Sequence, residues 1–133
     1  MHRKFIATGA LFAGLGVALG AFGAHGLQKL TEDAKILSGY HTAVQYQLWH
    51  ALALIITGIL YGGDFNKKFL QWTAACFTGG ILLFSGSLYL LTVLKIKESG
   101  MTKVIGPVTP LGGVLFIAGW LLLLMAVLKK KNS

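Results

Sequence analysis

Residues 5–24, 42–61, 69–94 and 107–128 form four stretches without a single Asp, Glu, Lys or Arg. Crossing the hydrocarbon core of a bilayer takes about 20 mostly apolar residues, and each stretch is long and apolar enough to do so. All four acidic residues (Glu32, Asp33, Asp64, Glu98) and all twelve Lys and Arg fall between or outside these stretches. With 55% apolar residues and a mean hydropathy of +0.70, almost no chain is left from which to build a separate soluble domain. The whole chain, 1–133, therefore reads as a single integral membrane domain.

The formal charge of +8 does not point to nucleic acid. The basic residues flank the spans in small groups: Arg3 and Lys4, Lys67 and Lys68, Lys95 and Lys97, and Lys129 to Lys131. That placement suits anchoring to lipid headgroups, and no basic helix is present to follow a phosphate backbone. The lone Cys76 lies inside the third span and reads as a small packing residue. Met1 to Lys4 followed by an apolar run resembles a secretory signal. However, Leu19 or Phe22 would occupy the −3 position of most cleavages near 21–24, so the first span is expected to be retained.

The fold class predicted is all-α, an antiparallel four-helix transmembrane bundle with a short interfacial helix between spans one and two. That helix is expected to start at a Thr31 cap, with Glu32 and Asp33 in its positive first turn. Leu30, Ala34, Leu37 and Tyr40 recur at helical spacing, with a bend near Gly39 before span two. Thr109 is expected to cap the fourth span, with Pro110 at its first position. Positive residues bias a loop toward the cytoplasm, and the termini with the middle loop hold seven against five on the other side. This places both termini in the cytoplasm.

Small residues mark the packing faces. Span one carries Gly9, Ala13, Gly16, Gly20 and Gly23 on one helical face; Gly79 and Gly86 occur in span three, and Gly112 and Gly119 in span four. Such stripes let helices approach closely within the bundle, or support a homo-oligomer.

Following each helix direction brings His25, His41, Gln45, Gln47, His50, Ser85, Ser87 and Tyr89 into the membrane half opposite the termini. His50 lies about 12 Å along the helix from Thr42. One side of span two carries Gln47, His50, Leu54 and Thr57, with Tyr46 a turn before His50. One side of span three carries Thr78, Leu82, Ser85, Tyr89 and Thr92. Polar groups facing lipid would be unsatisfied, so both faces should turn inward.

These residues also carry a resemblance. The segments Gly20-Ala-Phe-Gly-Ala-His-Gly-Leu27, Thr42-Ala-Val-Gln-Tyr-Gln-Leu-Trp-His-Ala-Leu-Ala-Leu54, Phe84-Ser-Gly-Ser-Leu-Tyr89 and Thr109-Pro-Leu-Gly-Gly113, with Phe116 and Gly119-Trp120, occur in this order. Together they resemble a family of small four-span bacterial membrane proteins catalogued as a domain of unknown function, with small transmembrane relatives in animals. The resemblance implies a helical protein of the bacterial inner or plasma membrane, and it implies no activity or cofactor.

Three functions and a purely structural alternative compete for the polar layer. His25, Tyr46, Gln47, His50, Ser85, Ser87 and Tyr89 could surround a small polar ligand or a lipid headgroup. Alternatively, they bond only to one another and lock the bundle, as in a structural or partner-assembly protein. Metal or haem binding is disfavoured: His41 and His50 point to opposite sides of a regular helix, and no carboxylate or Cys cluster supports them. Catalysis is disfavoured too. Ser85-Gly-Ser87 faces a potential base in His50, yet no oxyanion donor is evident and the spans hold no Asp or Glu for a proton relay. No enzyme activity, metal or cofactor is expected, and the partners expected are membrane lipid, a small molecule of unknown identity and a second copy of the chain. Trp49, Trp72 and Trp120 read as packing or interface anchors, as do Tyr61 and Phe69 at the middle loop.

Overall fold

The computed structural model describes residues 1–129 and 131. Helix α1 spans Arg3–His25, and α2 spans Ala34–Leu60. The third span joins α3 (Lys67–Gly80) to α4 (Gly86–Ile96) through one π-helical turn at Ile81–Ser85. A single turn, α5 (Thr102–Ile105), then leads into α6 (Val108–Leu128). Among the described residues, four helical segments are long and apolar enough to cross a membrane.

Short connections force neighbouring spans to run antiparallel. One end of the bundle gathers the N-terminus, the 61–66 turn and the last turn of α6. There His2 N–H donates to Gly58 O at 2.7 Å, and Lys131 approaches Asp64 at 3.8 Å. The other end gathers 26–33 and 97–107.

The link between α1 and α2 departs from the expected interfacial helix. Its only helical piece is a 3₁₀ turn at Leu27–Lys29, and α2 runs unbroken through Gly39 from Ala34. Asp33, not Thr31, is the cap. Its Oδ1 accepts from Lys35 N–H at 2.9 Å and Ile36 N–H at 3.4 Å, while Thr31 Oγ1 accepts from Asp33 N–H. Asp and Thr both cap well, and Asp33 wins because its carboxylate reaches two orphan donors at once. At the fourth span, Pro107 stands at the cap. Thr109 and Pro110 fall inside the first turn, where Pro still forfeits no helical hydrogen bond.

Two helix pairs pack most closely, α1 on α2 and α3 on α6, with the third span against α2 joining them. The glycines explain these approaches. A Cβ on Gly9 would lie 2.7 Å from Ala51 O, and one on Gly23 would lie 2.5 Å from the Tyr40 ring. Gly16 and Gly20 meet Leu48 and Val44 on the same helix, while Gly79 and Gly119 meet Leu115 and Phe77 across α3 and α6. Gly112 admits the backbone of Phe84. Gly86 differs from the packing role expected of it: nothing lies nearer its Cβ position than Ile81 O at 4.0 Å, and it lines a groove beside α1 instead. Ala53, Phe77, Ile81 and Phe116 form the central core, flanked by Phe12, Tyr46 and Phe84.

Candidate functional site, a paired polar layer and an aromatic cleft

The π turn decides the site's geometry. Regular helical spacing places Leu82 and Ser85 on one inward face, but Leu82 is 58% exposed and Ser85 is fully buried. A π turn holds an extra residue, which rotates the helix beyond it relative to the helix before it. Ser85 Oγ thereby donates to Ala43 O of α2 at 2.7 Å. Ser87 Oγ donates to Phe84 O at 2.9 Å and meets Thr109 Oγ1 of α6 at 2.5 Å.

Gln47 spans three helices. Its Nε2 donates to Phe12 O of α1 at 2.8 Å, and its Oε1 accepts from the Tyr89 hydroxyl of α4 at 2.6 Å. The Tyr40 ring lies 5.4 Å from that of Tyr89, and its own hydroxyl donates to Leu19 O.

His50 is held from both sides. Nε2 accepts from Trp120 Nε1–H of α6 at 3.0 Å, which leaves Nδ1 protonated to donate to Tyr46 O at 2.7 Å. Its ring stacks on Phe116 at 3.6 Å and lies nearly parallel to Tyr46. Because α2 starts eight residues before Thr42, His50 lies about 24 Å from one end of the helix and about 15 Å from the other. His50 therefore sits just past the middle of α2, toward the end that holds the N-terminus, and not in the opposite half expected of it. Ser85, Ser87 and Tyr89 do lie toward the other end, in the second half of the third span.

Of the residues expected at the site, Gln47 and Tyr89 meet, Ser85 and Ser87 pair with neighbours on other helices, and Tyr46 stacks beside His50. His25 is not brought in: it sits exposed in the last turn of α1, and His41 and Gln45 are exposed as well. Ser85 and His50 are not bonded to each other, since each is engaged elsewhere. Among the described residues, no group of three His, Cys, Asp or Glu stands close enough to hold a metal ion. Trp120, Phe116 and Thr109 belong to the layer although they read as an anchor, a motif residue and a cap. The only sequence signal for the first two was their place in the Phe116 and Gly119-Trp120 motif.

A cleft of about 640 Å³ opens between α2 and α6, lined by Tyr46, Trp49, His50, Phe84, Phe116 and Trp120 among others. A second groove of about 380 Å³ lies between α1 and the third span, with Gln47 and Tyr89 on its wall.

The model of the family described as "Protein of unknown function (DUF423)" matches residues 19–113. The chain belongs to the DUF423 family. This DUF423 protein is 45% identical over 127 residues to a UPF0382 membrane protein of Staphylococcus aureus, an alignment covering 96% of this chain and 97% of the relative. It is 42% identical to the UPF0382 membrane protein YwdK of Bacillus subtilis, over 96% of this chain and 98% of the relative. No solved structure matches it. The DUF423 chain is an integral membrane protein: its full-length relatives are named as membrane proteins, and four of its helical segments suit a bilayer.

Proposed function

We propose that this protein is a non-catalytic component of the bacterial plasma membrane whose polar layer locks the bundle in one arrangement, leaving its outer helix faces to assemble with partners. The pairing of the layer carries this reading. Among the described residues, no buried side-chain nitrogen or oxygen lacks a hydrogen-bond partner. A polar ligand would have to break these bonds before making its own, and in lipid each unpaired group costs on the order of several kcal/mol. The outer surface of α1 supports partner assembly: α1 packs closely only on α2, and Leu11, Leu15 and Val17 lie exposed. Seven basic residues at the end holding the termini, against five at the other, support a cytoplasmic location for both termini.

Native mass spectrometry of the gently extracted protein tests this, comparing wild type with His50→Leu. The expected result is no stoichiometric polar molecule on either protein, with the variant melting several degrees lower. A polar molecule bound to the wild type and lost from the variant would overturn the reading in favour of a ligand site in the layer.

A second reading, a lipid or lipid-soluble ligand, is favoured by one observation, the aromatic cleft. It concerns that cleft rather than the paired layer.

A further inference from the structure

The backbones of α2 and α6 do not pack closely; aromatic side chains bridge the space between them. The cleft in that space faces the bilayer, since Trp49 and Ile117 on its walls are 54% and 64% exposed. None of its lining residues is charged, and both nitrogens of His50 are taken. A charged headgroup would be stranded there.

Two features go beyond a greasy groove. First, the rings of His50 and Phe116 lie within 14° of parallel, His50 and Tyr46 within 12°, and Tyr46 and Phe116 within 26°. They form a rigid stack behind the cleft; His50 and Phe116 are themselves buried, so the ring surface open to a guest is that of Tyr46, Trp49 and Trp120 around them. Second, among the described residues, the Tyr46 hydroxyl and the Trp49 indole N–H make no hydrogen bond within the protein. Both can donate. A straight acyl chain needs neither flat walls nor donors. A planar ring bearing carbonyl oxygens uses both, stacking on the aromatic faces and accepting from the two groups. About 640 Å³ is room for such a ring and the start of its tail.

Resting on the second reading above, we propose that the cleft between α2 and α6 binds a flat, lipid-soluble ring with hydrogen-bond-accepting carbonyls, the chemistry of an isoprenoid quinone headgroup. The guest enters sideways from the bilayer. Gly113, whose Cβ position is 3.8 Å from the Phe84 ring, leaves the notch beside the wall.

The test places the full chain in phosphatidylcholine nanodiscs and titrates a decyl-tailed naphthoquinone, reading tryptophan fluorescence and the mass of the retained complex. Saturable one-to-one binding is expected. Tyr46→Phe keeps the ring stack and should weaken binding about fivefold, the value of one ordinary hydrogen bond. Gly113→Leu should abolish binding by filling the notch, whereas Gly14→Leu, on open surface of α1, should leave it unchanged. Melting curves accompany each variant, and Tyr46→Phe decides the matter if Gly113→Leu does not fold. Non-saturable quenching that is equal in all variants would overturn the proposal. So would equal affinity for a decyl-tailed naphthalene without carbonyls, or a tightly held phospholipid that the quinone cannot displace. Any of these failures leaves the paired layer standing, because the stability and mass comparison of His50→Leu decides that separately.

Discussion

Gln47 shows how one side chain in a membrane can tie three helices together. Its amide donates to a carbonyl of α1 and accepts from a tyrosine of α4, so both ends of the amide are used and its orientation is determined. Interhelical bonds of this kind in membranes are worth about 0.5–1.5 kcal/mol, less than their burial suggests, because the unfolded chain in lipid also finds partners. A double-mutant cycle of Gln47→Leu and Tyr89→Phe, measured by thermal unfolding, should therefore return a coupling of about 1 kcal/mol. A zero coupling would place the Tyr89 hydroxyl elsewhere. At the end of α4, Glu98 adopts φ 54°, the left-handed conformation that closes a helix, and Ser99 N–H reaches back to Leu94 O at 2.9 Å. Glycine takes that conformation without strain. Glu98→Gly should raise stability by about 0.5–1 kcal/mol, seen as a higher midpoint in the same unfolding assay.

At the scale of elements, the small-residue stripe of α1 and the π turn act in opposite senses. The stripe is regular, and period alone locates it: Gly9, Gly16 and Gly23 are all buried against α2. The π turn breaks the period, and no residue type within Ile81–Ser85 marks it. Its cause is tertiary, for it is where Gly112 of α6 admits the Phe84 backbone and where Ser85 reaches Ala43 O. Gly112→Ala should accordingly cost about 2 kcal/mol through overpacking. Gly14→Ala, where nothing lies within 4 Å, should be neutral or stabilise by up to about 1 kcal/mol through helix propensity. Equal effects of the two substitutions on unfolding would contradict the close approach at Phe84.

Over the whole molecule, two tight helix pairs are joined where the third span packs on α2, and they leave grooves along the open sides. Antiparallel spans put 61–66 and 97–101 at opposite ends. In a Cys76→Ala background, Asp64→Cys and Ser99→Cys should react with an impermeant maleimide from opposite sides of sealed vesicles. With cytoplasmic termini, Ser99→Cys is labelled from outside intact cells and Asp64→Cys is not; the reverse pattern would invert the proposed orientation.

Much of this was legible without coordinates. Four charge-free spans, their alternation and the glycine face of α1 come from local rules, because lipid excludes charge and unpaired backbone whatever the neighbouring helices are doing. The same rules brought Gln47, Ser85 and Tyr89 inward. They erred at His25, which helix direction alone sends toward the layer but which has no neighbour to bond it there. They erred as well at Thr31 and Thr109, where residues two positions apart compete for one cap and only the final path of the chain chooses. Trp120 on His50, Ser87 on Thr109 and the aromatic cleft lay out of reach, since they join residues 70 and 22 positions apart or depend on how far α6 stands from α2. Hydrophobicity and period are properties of a single helix, so the sequence by itself determined which segments enter the membrane and much of which faces they bury. Pairing across helices depends on rotation and separation, which tertiary packing and its one π turn decided.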